Sequence, residues 1–148
     1  MKVVLQRVAN AKVEIDGKVQ GEIGKGILVL VGVKDTDIED ESKIEKMASK
    51  IVNLRIYEDE EDKMNLSCLD VDGEILVISN FTLYGDARKG NRPSYVEAAR
   101  PEVAEPYYEK FIEALKKTGV KKVANGIFGA DMKVSLLNDG PVTIVYEI

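Results

Sequence analysis

The sequence predicts an α+β fold: one compact domain over residues 1–148, with a largely antiparallel, barrel-like sheet and two main helices. Three observations lead to this prediction. Apolar residues alternate with polar ones near both ends of the chain, two internal segments have helical spacing, and no repeat, low-complexity segment or linker divides the chain. A length of 148 residues suits one domain with a sizeable core.

Strand patterns fill the first 33 residues. Apolar positions are spaced by two around residues 3–5 and again around 13–15, which is typical of strands with one buried face. Asp16-Gly17 predicts a hairpin turn into the next strand at 18–20. The continuous apolar run 27–33 (ILVLVGV) predicts a buried central strand.

Two segments have the apolar spacing of amphipathic helices. These apolar residues are Ile44, Met47, Ala48 and Ile51 in the first segment, and Ala104, Tyr107, Tyr108, Phe111 and Leu115 in the second. We expect residues 35–37 (DTD) to supply capping oxygens for the first helix. In the second, Pro101 suits the first turn, Pro106 suggests that the regular helix starts late, and Gly119 suits its end.

Between the helices the pattern returns to strands. Residues 55–57 predict a short strand, and the acidic stretch 58–62 predicts a solvated loop. The apolar run 75–79 (ILVIS) predicts a second buried strand, which leads directly into Asn80. Residues 85–93 (GDARKGNRP) have the composition of a loop.

The C-terminal pattern predicts two final strands, at 132–136 and 142–146, joined by a turn at residues 138–140. Pro141 then directly precedes the last strand, and the start of a strand tolerates proline. Because about 5–6% of X-Pro bonds in folded proteins are cis, local rules favour a trans proline in a hairpin turn. The alternative is functional, since Gly140 would allow its backbone to approach a ligand closely.

The composition excludes several kinds of site. The chain contains no histidine, which removes Ser-His-Asp and Cys-His catalysis and most zinc sites. A single cysteine, Cys68, excludes an internal disulfide framework, so we expect a reduced, cytoplasmic setting. No apolar run reaches about 18 residues, and the N-terminus becomes charged too early for a signal peptide, so no membrane segment is expected.

The charges are unevenly distributed along the chain. The net charge is −5, and residues 34–63 account for all of it, with six basic and eleven acidic residues. The sequence therefore argues against a broadly basic surface for nucleic acid but leaves a local basic patch open. Arg88, Lys89 and Arg92 lie close together in one loop and, with Arg100, could hold phosphates. The alternative is an ordinary solvated loop.

Two hydroxyls and an amide follow the predicted strand at 75–79, in the segment Ser79-Asn80-Phe81-Thr82. A hydroxyl at a strand end could be a nucleophile, but it needs a base to activate it. The local alternative is that Ser79 and Thr82 satisfy nearby backbone groups, and the residues alone favour this alternative.

One residue and three stretches carry a family resemblance: Arg7, and the segments SNFTLYGD at 79–86, KGNRPSY at 89–95 and GIFGADMKVSLLNDGPVT at 126–143. In order and length they resemble the D-aminoacyl-tRNA deacylase family over essentially the whole chain. The family's two most specific motifs are Ser-Gln-x-x-Thr and Asn-x-Gly-Pro-x-Thr. The second is complete at 138–143, whereas the first has Asn80 where the family usually has glutamine, which keeps the amide but is one methylene shorter.

The resemblance implies a homodimer with its active sites at the interface, where a cis Gly140-Pro141 bond of one subunit enters the pocket of the other. The implied substrate is the ester that joins a D-amino acid, or glycine, to the terminal adenosine of tRNA. The residues implied for catalysis are Ser79, Asn80, Phe81 and Thr82. Those implied for substrate binding are Arg7, Met132, Asn138, Gly140, Pro141 and Thr143, with Arg88, Lys89 and Arg92 for tRNA. No cofactor, metal or membrane is implied.

This chemistry is compatible with the missing histidine, because an aminoacyl ester is already activated and the neighbouring ribose 2′-hydroxyl can assist. The protein would stabilise the developing negative charge with the N–H groups of Phe81 and Thr82. A rigid backbone at Gly140-Pro141 would clash with an L side chain, whereas glycine would pass. Two alternatives stay open: Thr82 as a covalent nucleophile, and a non-catalytic RNA-binding module.

Overall fold

The computed structural model describes all residues, 1–148, and consists of one curled six-stranded sheet, a small hairpin and two helices. The strands are β1 Lys2–Ile15, β2 Lys18–Ile23, β3 Gly26–Gly32, β4 Tyr57–Glu58, β5 Met64–Leu66, β6 Glu74–Ser79, β7 Lys122–Asn125 and β8 Lys133–Glu147. The helices are α1 Ser42–Asn53 and α2 Pro101–Lys116, and short 3₁₀ turns span Asp35–Asp37 and Phe81–Tyr84. The predicted α+β fold is confirmed. Neither helix is long and apolar enough to cross a membrane.

The sheet has the strand order β2-β1-β3-β6-β7, and β8 pairs with the other edge of β1. The pairings of β1 with β2, β3 and β8 are antiparallel, whereas β3–β6 and β6–β7 are parallel. The two ends of the sheet approach each other, since a Cβ added to Gly21 in β2 would lie 3.1 Å from the carbonyl oxygen of Asn125 in β7. The sheet is therefore barrel-like, as the sequence predicts.

The two continuous apolar runs are buried on both faces. Alternate residues of β3 and β6, such as Val29 and Val77, face a large core that they share with α1 and α2. The intervening residues, such as Leu28 and Leu76, pack in a second, smaller cluster inside the curl of the sheet. This double burial explains why neither strand shows the polar alternation of a half-exposed sheet.

Both predictions about the helix starts are wrong in detail. Asp37 accepts the Lys34 N–H at 3.0 Å within its own 3₁₀ turn, and it is Asp40 that accepts the Ser42 N–H at the start of α1. The second helix does not start late but runs regularly from Pro101 through Pro106. Pro106 has no N–H, so the helix loses one backbone hydrogen bond on its exposed face. Burial of the apolar face of α2 offsets this loss.

The predicted C-terminal hairpin is also wrong. The segment is one strand, β8, that pairs with β1 on both sides of residues 139–142. Gln6 faces Thr143 and Val8 faces Asn138, so residues 139–142 stand opposite the single residue Arg7. We call residues 138–142 the Gly-Pro bulge. Pairing with the long strand β1 overrides the local turn composition, and the surplus residues are accommodated as an irregularity in the ladder.

Candidate active site

The segment after β6 turns sharply at the end of the sheet. The Asn80 N–H donates to the Val31 carbonyl at 2.7 Å, and the Asn80 Oδ1 accepts the Thr82 N–H at 3.2 Å. The Thr82 hydroxyl also donates to this Oδ1. The Phe81 N–H, at the first position of the 3₁₀ turn, has no acceptor within the turn. Of the two predicted oxyanion donors, one is open and one is capped by Asn80.

A largely apolar cavity of about 530 Å³ lies beside this turn, within the size range of small-molecule sites. It brings together four of the predicted site residues: Ser79, Asn80, Phe81 and Met132. The remaining wall comprises Val31, Val33, Tyr95, Ala98, Ala99, Arg100, Pro101, Ala104, Tyr108, Phe128, Gly129 and Ala130. The Phe81 ring is 57% exposed and packs edge-on against Tyr95 with ring centres 5.1 Å apart.

Two wall residues show how the sequence positions this cavity. The Tyr108 hydroxyl donates to the Val77 carbonyl at 3.0 Å, so this core residue also lines the cavity. Met132 fits because residue 126 is glycine: a Cβ there would lie 2.3 Å from the Met132 sulfur. The sequence pattern predicts a core position for Tyr108 and does not single out Phe128, although Phe128 belongs to the apolar segment 126–130.

The Gly-Pro bulge is held by polar contacts with β1. Its Gly140-Pro141 peptide bond is cis, the isomer that the family resemblance implies. The Asn138 amide nitrogen donates to the carbonyls of Arg7 and Val142 at 2.9 and 3.3 Å. The Arg7 Nε donates to the Asp139 carbonyl at 3.1 Å. The structure therefore places Arg7 and Asn138 against the backbone of the bulge.

The bulge and the cavity lie at opposite ends of the strands. Ser79 at the end of β6 pairs with Val31 of β3, which pairs with Val3 of β1. Asn138 at the start of the bulge pairs with Val8 of β1. The five residues from Val3 to Val8 span about 17 Å along the strand. One subunit therefore does not bring the bulge and the Phe81 turn together. Thr143 stays with the bulge, where its hydroxyl accepts from the Gln6 amide at 3.4 Å.

The predicted tRNA-binding cations differ in their environments. The Arg88 guanidinium makes two hydrogen bonds to Asp86, at 2.9 and 2.8 Å, and these bonds lower the pKa of Asp86 to about 2. The Arg88 charge is thus already paired at neutral pH. Lys89 and Arg92 are exposed and make no ion pair. Of the three, these two offer the more available charge for phosphates.

The sequence comparisons identify one family. Residues 4–147 match the family model described as D-Tyr-tRNA(Tyr) deacylase. Relatives named D-aminoacyl-tRNA deacylase from Flavobacterium psychrophilum and Thermosipho africanus are 54% and 56% identical, each covering 99% of this chain and 97% of the relative.

Two solved structures share the fold. One, a c-Myc DNA unwinding element binding protein, has a TM-score of 0.92 and 43% identity, covering 100% of this chain and 99% of that one. The other, a probable eukaryotic D-amino acid tRNA deacylase, has a TM-score of 0.83 at 16% identity, covering 99% and 98%. On the full-length match of its sequence, this chain belongs to the D-Tyr-tRNA(Tyr) deacylase family.

Proposed function

We propose that this chain hydrolyses the ester of D-aminoacyl-tRNA and of mischarged glycyl-tRNA, and spares L-aminoacyl-tRNA. Family membership supports the reaction class. The observation that supports the location most directly is the 530 Å³ cavity that opens onto the Phe81 turn. Its apolar wall suits the terminal adenosine, and its rim carries a backbone N–H where the ester would lie.

The proposed chemistry uses backbone donors, with assistance from the tRNA 2′-hydroxyl. The open Phe81 N–H can bind the ester oxygen at once, whereas the Thr82 N–H must first leave the Asn80 Oδ1. A developing oxyanion is a stronger acceptor than a neutral amide oxygen. The exchange is thus more favourable in the transition state than in the ground state, which is the requirement for catalysis.

Rejection of L-substrates is proposed to come from a second copy of the chain. The Gly-Pro bulge lies about 17 Å along the strand from the Phe81 turn of its own subunit, by the alignment of Val3 and Val8. A wall at Gly140-Pro141 can therefore act on a bound ester only across an interface. The exposed apolar side chains of β8, Leu137 and Val145, support an interface on this strand.

The direct test is deacylation of D-Tyr-tRNA, L-Tyr-tRNA and Gly-tRNA by the purified protein. We expect hydrolysis of the D- and glycyl-esters and little hydrolysis of the L-ester. Equal rates for the two tyrosyl esters would contradict chiral rejection. Binding of tRNA without cleavage of any ester would instead favour a nucleic-acid-binding module, a function class that the name of one structural relative also suggests.

A Thr82→Ala variant tests whether the hydroxyl is the nucleophile. The only polar partner of this hydroxyl is the Asn80 amide oxygen, which cannot serve as a general base. We therefore expect kcat on D-Tyr-tRNA to fall less than about 10-fold, because the variant keeps the N–H at position 82. Loss of one true oxyanion donor costs about 10²- to 10³-fold. A loss of that size or greater would favour Thr82 as the nucleophile.

A further inference from the structure

A buried cation connects the Gly-Pro bulge to the hairpin formed by β4 and β5. The Arg7 side chain is 4% exposed, and its Nη1 donates to both carboxylate oxygens of Glu58 at 2.9 Å. The same nitrogen donates to the Ile56 carbonyl at 2.6 Å. On its other side, the Arg7 Nε lies 3.1 Å from both the carbonyl and the carboxylate of Asp139. One guanidinium therefore bridges Glu58 and the bulge.

Within its own subunit the bulge depends on such contacts, because it packs little against the rest of the chain. Residues 138–141 are exposed, and only Val142 is buried. Apart from the strand pairing, the bulge is held by the Asn138 amide and the Arg7 guanidinium. The geometry of its backbone is thus sensitive to the orientation of Arg7.

Glu58 is one of the two carboxylates that compensate the Arg7 charge. A buried guanidinium is costly unless carboxylates or other acceptors surround it, and Glu58 and Asp139 are its two carboxylate partners. Hydrogen bonding from Arg7 lowers the pKa of Glu58, so this partner is ionised at neutral pH. Without the Glu58 charge, the Arg7 Nη1 keeps only the Ile56 carbonyl as a hydrogen-bond acceptor, and Asp139 becomes the only carboxylate partner of the guanidinium. We expect the guanidinium then to shift toward Asp139 or toward solvent.

We infer that Glu58 is a positioning residue for the Gly-Pro bulge and thereby sets how strictly the enzyme rejects L-esters. This role rests on the proposed function, in which the bulge forms the wall against an L side chain. Glu58 does not contact the cavity or the proposed reacting atoms. It acts through Arg7, by holding the backbone at residues 139–141 in one place.

The first test compares D- and L-Tyr-tRNA deacylation by wild type, Glu58→Gln and the matched control Glu61→Gln. Glu61 lies on the same hairpin and pairs only with the exposed Lys63. We expect Glu58→Gln to reduce the ratio of D to L kcat/KM by between about 2- and about 30-fold, the range typical of residues coupled to a site at a distance. Glu61→Gln should keep the wild-type ratio.

A purely structural role for Glu58 would lower both rates together and leave this ratio unchanged, and that result would overturn the inference. Glu58→Asp, which keeps the charge with a shorter reach, should give an intermediate ratio. Thermal unfolding of each variant shows whether a lower deacylation rate results only from a smaller fraction of folded protein.

The second test does not depend on catalysis. Amide hydrogen exchange, followed by mass spectrometry, should be faster in peptides covering 138–142 of Glu58→Gln than of Glu61→Gln. Equal exchange in the two variants would show that Glu58 does not position the bulge. If the wild type fails to discriminate between the esters, the proposed function fails, while the exchange experiment still decides the positioning role.

Discussion

The Cys68 thiol is fully buried, and a Cβ added at Gly73 would lie 2.7 Å from its sulfur. Burial raises the pKa of this thiol to about 11. Since the thiolate is the reactive form, we expect no labelling by a thiol reagent at pH 8 in the native state. One equivalent should react after denaturation, as measured by absorbance or mass. Rapid labelling of native protein would contradict the burial.

Among the predicted site residues, the side chains act mostly on backbone. Asn80 caps the Thr82 N–H, Asn138 bridges two carbonyls, and Arg7 holds the Asp139 carbonyl. The motifs identified these positions but did not show what the side chains contact. Those partners are distant in sequence or depend on a local backbone conformation. The sequence therefore does not predict which groups these side chains contact.

At the scale of elements, the 3₁₀ turn Phe81–Tyr84 packs on the end of β3 at Gly32. A Cβ at residue 32 would lie 3.1 Å from the Asn80 carbonyl oxygen and 3.2 Å from both Leu83 and Tyr84. The turn would have to move by a few tenths of an ångström. We expect Gly32→Ala to reduce kcat/KM on D-Tyr-tRNA by on the order of 3- to 10-fold, because misplacement by 1 Å costs about 100-fold.

The matched control is Gly24→Ala, since a Cβ at residue 24 would meet nothing within 4 Å. Circular dichroism should show both variants folded, with activity near wild type for Gly24→Ala. Full activity of Gly32→Ala would mean that the position of the turn does not limit the reaction.

Element boundaries show where local patterns suffice. The β1–β2 hairpin forms at Asp16-Gly17 as predicted, with positive φ at both residues, because this turn is specified by its own two residues. Residues 138–140 have equally good turn composition but lie inside β8. Their conformation depends on 14-residue β1, which offers a partner on both sides of the bulge.

For the whole molecule, electrostatics should decide how tRNA docks. Lys89 and Arg92 are unpaired, whereas Arg88 is paired with Asp86. We expect Lys89→Ala/Arg92→Ala to weaken tRNA binding and to reduce the slope of log K against log salt by about one to two, since each phosphate contact contributes about 0.7–0.9. Arg88→Ala should have the smaller effect. Binding measured at several salt concentrations checks this, and an unchanged slope would exclude the loop from the tRNA interface.

The homodimer is the second prediction at this scale. Light scattering should give twice the 16.4 kDa chain mass for wild type. Leu137→Lys places a charge on an exposed apolar side chain next to the Gly-Pro bulge and should shift the mass toward one chain. Val19→Lys, at an exposed apolar position of β2, which does not pair with β8, should remain dimeric. A wild-type mass of one chain would contradict the dimer.

The sequence by itself determined the fold class, the two buried strands and the family, because hydrophobic periodicity and motif residues are local properties of the chain. It also located the Phe81 turn and the Gly140-Pro141 step. Only the tertiary structure decided that this step is a bulge held by Arg7 and that Glu58 accepts hydrogen bonds from Arg7. It also decided that the bulge lies far from the cavity of the same subunit. Those relations join residues up to about 130 positions apart, and they follow from strand register and burial, which no local pattern specifies.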